Sequence, residues 1–254
     1  MAIITADGAE DYKASIQALL KTIEANEVGK VLLRGIYSAN VLQYLIVLPH
    51  KGDAYKGYCD AVTQPQNPYG AYPKGVRPNP NANSSSTKGA FTGSEDRYEQ
   101  EPAGFVGTGF GSSSHIEFSP EYWGPSKTSC FQGENGSLPD EVLFHEMIHG
   151  LRNLQGVRNP WPTEDNGYGN EEEFLAIVAT NVYISAKGST QLRRNADEHW
   201  PLNAPLNTSA GFLKEPRNLR ILKIHRLLWI PTFGDLAHVV TANFNPFREL
   251  WQQG

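Results

Sequence analysis

Pro139-Asp-Glu-Val-Leu-Phe-His-Glu-Met-Ile-His-Gly-Leu-Arg-Asn-Leu-Gln155 is the stretch on which the reading of this 254-residue chain turns. It contains His145-Glu146-Met147-Ile148-His149, two histidines four residues apart with a glutamate between them. On an α-helix that spacing sets both imidazoles on one side, about one turn apart. There they can reach one Zn²⁺ at about 2.0–2.1 Å. Glu146 then stands beside the open coordination position, where it can take a proton from a metal-held water. The flanks support a helix with two unlike faces. Leu143, Phe144, Met147, Ile148, Leu151 and Leu154 recur at helical spacing, and His145, Glu146 and His149 occupy the opposite side. Pro139 suits a first helical turn, and Asp140 and Glu141 complement the positive end of the helix dipole. The bland alternative is an amphipathic helix carrying two solvated histidines.

A zinc site that performs chemistry needs three protein ligands and one open position. The next helical signal downstream is Asn170-Glu-Glu-Glu-Phe-Leu-Ala-Ile-Val-Ala-Thr-Asn-Val-Tyr-Ile184. Asn170 reads as an N-cap, and three acids fill the first turn. Phe174, Leu175, Ile177, Val178 and Val182 mark a buried side. Ala176, Ala179 and Thr180 form a small-residue strip suited to close approach of the histidine-bearing helix. Glu172 continues that strip, so Glu172 is the expected third ligand, with Glu173 second. The three acids could instead serve only the helix dipole.

Composition narrows the field. A net charge of −5 and the lack of any basic run argue against a nucleic-acid partner. No apolar run reaches the length of a membrane span. The first residues, Met-Ala-Ile-Ile-Thr-Ala-Asp-Gly-Ala-Glu, lack a charged n-region and an apolar h-region. The expectation is synthesis in the cytoplasm without a cleavable signal peptide, with export by another route left open. Cys59 and Cys130 form no C-x-x-C and no disulfide framework. Either could in principle cap the zinc of a latent enzyme, although neither sits in a motif.

Around this centre the chain reads as follows. Residues 9–26 form an amphipathic helix ended by Gly29. Residues 30–33 form a strand, and residues 41–48 form a strand or a helix. From about 49 to 106 the chain is crowded with Pro, Gly, Asn and Ser, the composition of a surface loop region. Gly107-Thr-Gly-Phe-Gly111 lacks the lysine and the strand-then-helix setting of a phosphate loop. His115-Ile-Glu-Phe118 alternates as a strand. His115 to Ser119 is the expected sheet edge for holding extended peptide by strand addition. The tail beyond Arg217 reads as mostly helical, with Trp229, Phe244, Phe247 and Trp251 covering a core, and with His225 and His238 structural or on the surface.

His145-Glu146-x-x-His149 followed by a helix-borne Glu resembles the gluzincin zinc metallopeptidases over roughly residues 107–185. The compact layout and the Gly-rich strand before the metal helix are most similar to zinc proteases that bacteria inject as effectors. The resemblance implies peptide-bond hydrolysis on a protein substrate, one Zn²⁺ per chain, and a His or Tyr beyond the Glu helix that steadies the oxyanion. His199 is the candidate for that role, with Tyr168 and Tyr183 as alternatives. In thermolysin-type enzymes an Asp four residues after the Glu ligand supports a ligand histidine. Here that position is Ala176, so the support must come from elsewhere.

The sequence therefore leads to one α+β zincin-like domain over residues 1–254, with several helices and a small, mostly antiparallel sheet. Its metal-site core lies at about 107–200. The expected activity is a zinc metalloendopeptidase using Zn²⁺ on His145, His149 and Glu172, with Glu146 as general base. Host or immunity partners are left unspecified. The rivals are a zinc hydrolase acting on a non-peptide target and a non-catalytic interaction module held together by zinc.

Overall fold

The computed structural model describes residues 3–39, 42–50, 61–75, 107–125, 135–159, 161–163, 167–195 and 199–253. Cys59, Cys130, Asp197 and most of the 49–106 region lie outside them.

The histidine-bearing segment is a helix from Pro139 to Gln155, and the Asn170-capped segment is a helix from Glu171 to Ala186. The chain reaches them through a sheet and three earlier helices. These are β1 (Ile3–Ala6), α1 (Glu10–Ala25), α2 (Glu27–Tyr37), β2 (Tyr44–Leu48), β3 (Val62–Pro65), α3 (Pro68–Ala71) and β4 (Ser114–Glu117). The two central helices are then α4 (Pro139–Gln155) and α5 (Glu171–Ala186). The tail follows as α6 (Ser209–Lys214), α7 (Pro216–Leu228), α8 (Ile230–Ala237) and α9 (Pro246–Gln252).

This is an α+β fold, as expected, but the sheet is mixed rather than mostly antiparallel. Its order is β1-β2-β4-β3, with β1, β2 and β4 parallel and only β3 antiparallel to β4. Parallel neighbours need crossover connections, and the helical pair α1 and α2 supplies the one between β1 and β2. Residues 30–33, expected as a strand, belong to α2. The deciding signal is Asn26, whose side chain accepts the Val28 N–H and starts a new helix at 27. Val28, Leu32 and Ile36 then fall on one buried face at fourfold spacing. Gly29 lies in the first turn of α2 and does not end α1.

Strand β4 is also not where the sequence put it. It is an interior strand between β2 and β3, so residues 115–118 cannot take an added strand. The edge next to α4 is β3, among the described residues. One sheet face, with Leu45, Val47 and Ile116 fully buried, packs towards the helices. The other, with Tyr44, Ile46, His115 and Glu117, is partly exposed.

The C-terminal end of α4 is fastened to the start of β4. Asn153 donates through Nδ2 to Ser114 Oγ at 3.0 Å, and its carbonyl accepts the Ser112 N–H at 2.8 Å. The Gly-rich run before β4 now has a physical reason. Gly156 ends α4 in the left-handed region (φ 67°) against Gly109, and a Cβ there would lie 2.6 Å from the Gly109 backbone. A Cβ on Gly111 would stand 1.9 Å from the Leu154 carbonyl oxygen. The glycines let two backbones touch, which sets the height of α4 over the sheet.

The helical tail meets α5 through α6 and α7 and packs on α2 through α8. Phe212 bridges Phe174 and Phe244, and Phe233 meets Phe247 edge-on at 4.8 Å. Trp229, Phe244 and Phe247 are buried in the main core, with Trp251 partly buried against it. Among the described residues no helix is long and apolar enough to cross a membrane. Replacing Gly111 by Ala should separate α4 from the loop before β4. The expected loss is about 2 kcal/mol or more in urea denaturation, from the forced contact and the φ of 81° together.

Candidate active site

Helix α4 is buried almost throughout, on its polar face as well as its apolar one. His145, Glu146 and His149 are each about 5–6% exposed, so none is a solvated surface residue. Their ligand atoms lie within 4.8 Å of one another. The two Nε2 atoms are 3.2 Å apart and turned towards a common point.

The glutamate facing that pair is Glu173. Its Oε2 is 3.2 Å from His145 Nε2 and its Oε1 is 3.4 Å from His149 Nε2. Glu172, expected there, is placed otherwise. Both its oxygens lie 2.9 Å from Arg152 Nε, and Oε2 also accepts the Asn159 backbone N–H at 2.9 Å. Its contact with the histidines is to Nδ1 of His149, at 3.4 Å, on the far side of the ring from Nε2. Successive helical residues point about 100° apart, so two neighbouring glutamates cannot face the same point. Glu171 turns a third way, towards His225 Nε2 at 3.0 Å and Asn159 Nδ2 at 2.9 Å. The three acids at the start of α5 therefore have three sets of partners, and none serves the helix dipole alone.

With Glu173 facing the pair, the position four residues on is Ile177, which is again no Asp. A ligating histidine commonly donates its other ring N–H to a carboxylate. Glu172 stands in that position for His149 and is itself held by Arg152. The pairing has a strong electrostatic signature. Burial alone would raise the Glu172 carboxyl, but Arg152 and His149 hold it well below the ordinary carboxylate range. Glu173 is likewise held low against its burial, by His149 and His145. Burial would depress His149, yet Glu173 and Glu172 push it up to about 10. Burial and the Arg193 guanidinium bring His145 down to about 3.

The donor set fits a tetrahedral zinc ion. Three ligands at about 2.0–2.1 Å sit about 3.3 Å apart on the edges of a tetrahedron. In the triangle of side chains the two Nε2 atoms are 3.2 Å apart, and each meets its own Glu173 oxygen, His145 with Oε2 at 3.2 Å and His149 with Oε1 at 3.4 Å. One contact does not fit. An Arg193 terminal nitrogen abuts His145 Nδ1, and arginine can only donate. A neutral histidine that gives Nε2 to a metal carries its proton on Nδ1, so this contact must give way on loading.

The other site candidates are placed further off. His199, at φ 52°, accepts from Arg193 at Nε2 (3.2 Å) and donates from Nδ1 to the Asn135 carbonyl (2.9 Å). Burial and Arg193 keep it well below the usual histidine range. Arg193 contacts both this ring and His145. The Tyr183 hydroxyl donates to Asp140 Oδ2 at 2.7 Å, near the start of α4. Tyr168 packs edge-on against Phe174. His115 meets Gln66 on the sheet.

Sequence reasoning missed Arg152, Asn159, Arg193 and Thr63. Only Arg152 left a signal. It extends the histidine row at positions 145, 149 and 152, a spacing of i, i+4, i+7 on one helix face.

With this geometry in place, the comparison with known families can be read. The Peptidase_M91 family model, described as "Effector protein", matches residues 2–178. The chain belongs to the Peptidase_M91 family. The match spans the sheet, all of α4 and the first half of α5, so it contains each side chain of the triangle. This member is thus a peptidase of an effector family, which implies a protein substrate. No curated protein matches the chain.

Arg152 is fully buried, and its guanidinium also lies 5.0 Å from the centre of the Trp229 ring. Arg152→Met strands the Glu172 charge, which should cost about 3–5 kcal/mol in urea denaturation at neutral pH. Because the folded carboxyl sits below its ordinary value of 4.5, the wild-type contribution is complete above that pH. It fades as the pH falls towards the folded value, so the difference between the two proteins should shrink on acidification.

Proposed function

We propose that this chain is a zinc-dependent metallopeptidase that cleaves peptide bonds of a protein substrate after delivery as an effector. The observation that carries the reading is the cluster of His145 Nε2, His149 Nε2 and the two Glu173 oxygens, one against each ring, with Glu146 beside it. Zinc would be held by His145, His149 and Glu173, with Glu172 acting on the metal only through His149. When bound, zinc supplies Lewis acidity that lowers the pKa of a water towards about 7.

The protein's own groups do the rest. Glu146 Oε1 lies 4.0 Å from His145 Nε2, close enough to face a water held at the triangle. It accepts the water's proton and returns it to the leaving amide nitrogen. Glu173 has the most exposed side chain of the three (21%, against 6% and 8% for the histidines), so the open position and the substrate are on its side. β3, the edge strand beside α4 among the described residues, is the place for extended substrate, by backbone pairing of the kind expected of an edge strand. His199 then anchors Arg193 instead of donating to substrate. A core cluster that runs from Ile16 to Leu250 supports treating the whole chain as one domain.

Two measurements test this. Glu146→Gln should keep about one zinc per chain by elemental analysis while losing about 10²–10⁴-fold in kcat/KM on a proteome-derived peptide library with mass readout. Full activity in that variant rules the mechanism out. Metal content also separates the two glutamates. Glu173→Ala and His149→Ala should purify nearly free of zinc, whereas Glu172→Gln should bind it about 10–100-fold more weakly. The reverse order would restore Glu172 as the ligand.

A further inference from the structure

The general base has a partner on the sheet edge. Thr63, in the middle of β3, places Oγ1 2.7 Å from Glu146 Oε2 and 2.9 Å from the Glu146 carbonyl oxygen. Both residues are buried, at 7% and 5% exposure. The hydroxyl has one proton to give, and an ionised carboxylate can only accept. The charge-assisted bond is the shorter and the stronger, so the proton belongs on Oε2.

That bond has a geometric consequence. The terminal torsion of a glutamate is broad and roughly twofold, so nothing within the Glu146 side chain decides which oxygen faces the triangle. With Oε2 tied to Thr63, Oε1 is left 4.0 Å from His145 Nε2. Thr63 is fixed in turn by its register opposite Ile116 in β4. The residue type fits the task. A hydroxyl can donate without adding a charge beside two histidines, and the β-branched side chain is stiff at χ1 and suited to a strand.

We propose that Thr63 is the positioning residue of the general base, holding Oε2 of Glu146 so that Oε1 is presented to the reacting water. The same edge strand would then receive substrate on its outer side and orient the base with its inner side. This rests on the metallopeptidase reading above, and the experiment separates the two.

Thr63→Val keeps the shape and removes the hydroxyl; Thr63→Ser keeps the hydroxyl. On the library peptide that the wild type cuts fastest, Thr63→Val should lower kcat about 10- to 100-fold. KM and zinc content should stay within about twofold. Thr63→Ser should recover most of the rate. A merely structural role predicts instead that Ser is no better than Val, or that KM or zinc content changes with kcat. Either result overturns the proposal, as does a Thr63→Val variant with wild-type kcat.

A second readout needs no activity. In urea denaturation of the metal-free chain, Thr63→Val and Glu146→Ala together should cost less than the sum of their separate effects. Additive effects mean that the bond is absent and end the proposal. Should Thr63→Val not fold, Thr63→Ala takes its place in both measurements. If the wild type cuts no peptide, the metallopeptidase reading falls and the role of Thr63 falls with it. If it cuts and Thr63→Val cuts equally well, only the Thr63 assignment falls.

Discussion

Burying charge is the constraint on which this structure depends. Helices α4 and α5 meet with their polar residues turned inward, out of reach of bulk water. A carboxylate or guanidinium in that setting is tolerable only with a partner and further hydrogen bonds. Arg152 and Glu172 provide the central pair. Around it Asn159 donates from its backbone to Glu172 and from its side chain to Glu171, and Glu171 reaches His225 on α7. The pair therefore joins α4, α5, the loop between them and the C-terminal helices.

The same constraint sorts three neighbouring acids into different roles. At the start of α5 a single helical step of about 100° separates a structural glutamate, a histidine-orienting one and one that faces both Nε2 atoms. Sequence periodicity could not make that separation. It works by contrasting an apolar face with a polar one, and α5 is buried on nearly every side, with only Glu173 and Ala186 less so. The small-residue strip of Ala176, Ala179 and Thr180 is real and fully buried. The glutamate in line with it points along the interface to Arg152, and its neighbour reaches the histidines.

The sheet shows a related limit. The alternation of residues 115–118 correctly marked a strand, but alternation carries no information on whether a strand is interior or at an edge. That depends on which segments pair, and β3, short and ending in the polar, Pro-containing run Gln64-Pro-Gln-Asn-Pro68, gave little local signal. Yet β3 supplies Thr63 to Glu146. The glycines at 107, 109 and 111 were equally opaque in one dimension. Gly109 and Gly111 proved to be the points where the loop before β4 touches the backbone at the end of α4, and Gly107 lies against Tyr72 and Pro73.

What the sequence by itself determined are the features set by spacing along one helix. His145, Glu146 and His149 share a face because 3.6 residues make a turn, and Asn170 begins the second helix because its side chain can accept an N–H of the first turn. The α+β class and the helical tail follow from similar local patterns. Only the tertiary structure decided which glutamate meets the histidines, which strand lies beside the base, and that Arg152, Arg193 and Thr63 belong to the site at all. These are choices of direction between elements far apart in the chain. They are made by packing and by the need of every buried charge for a partner, and neither is written in the periodicity of a single segment.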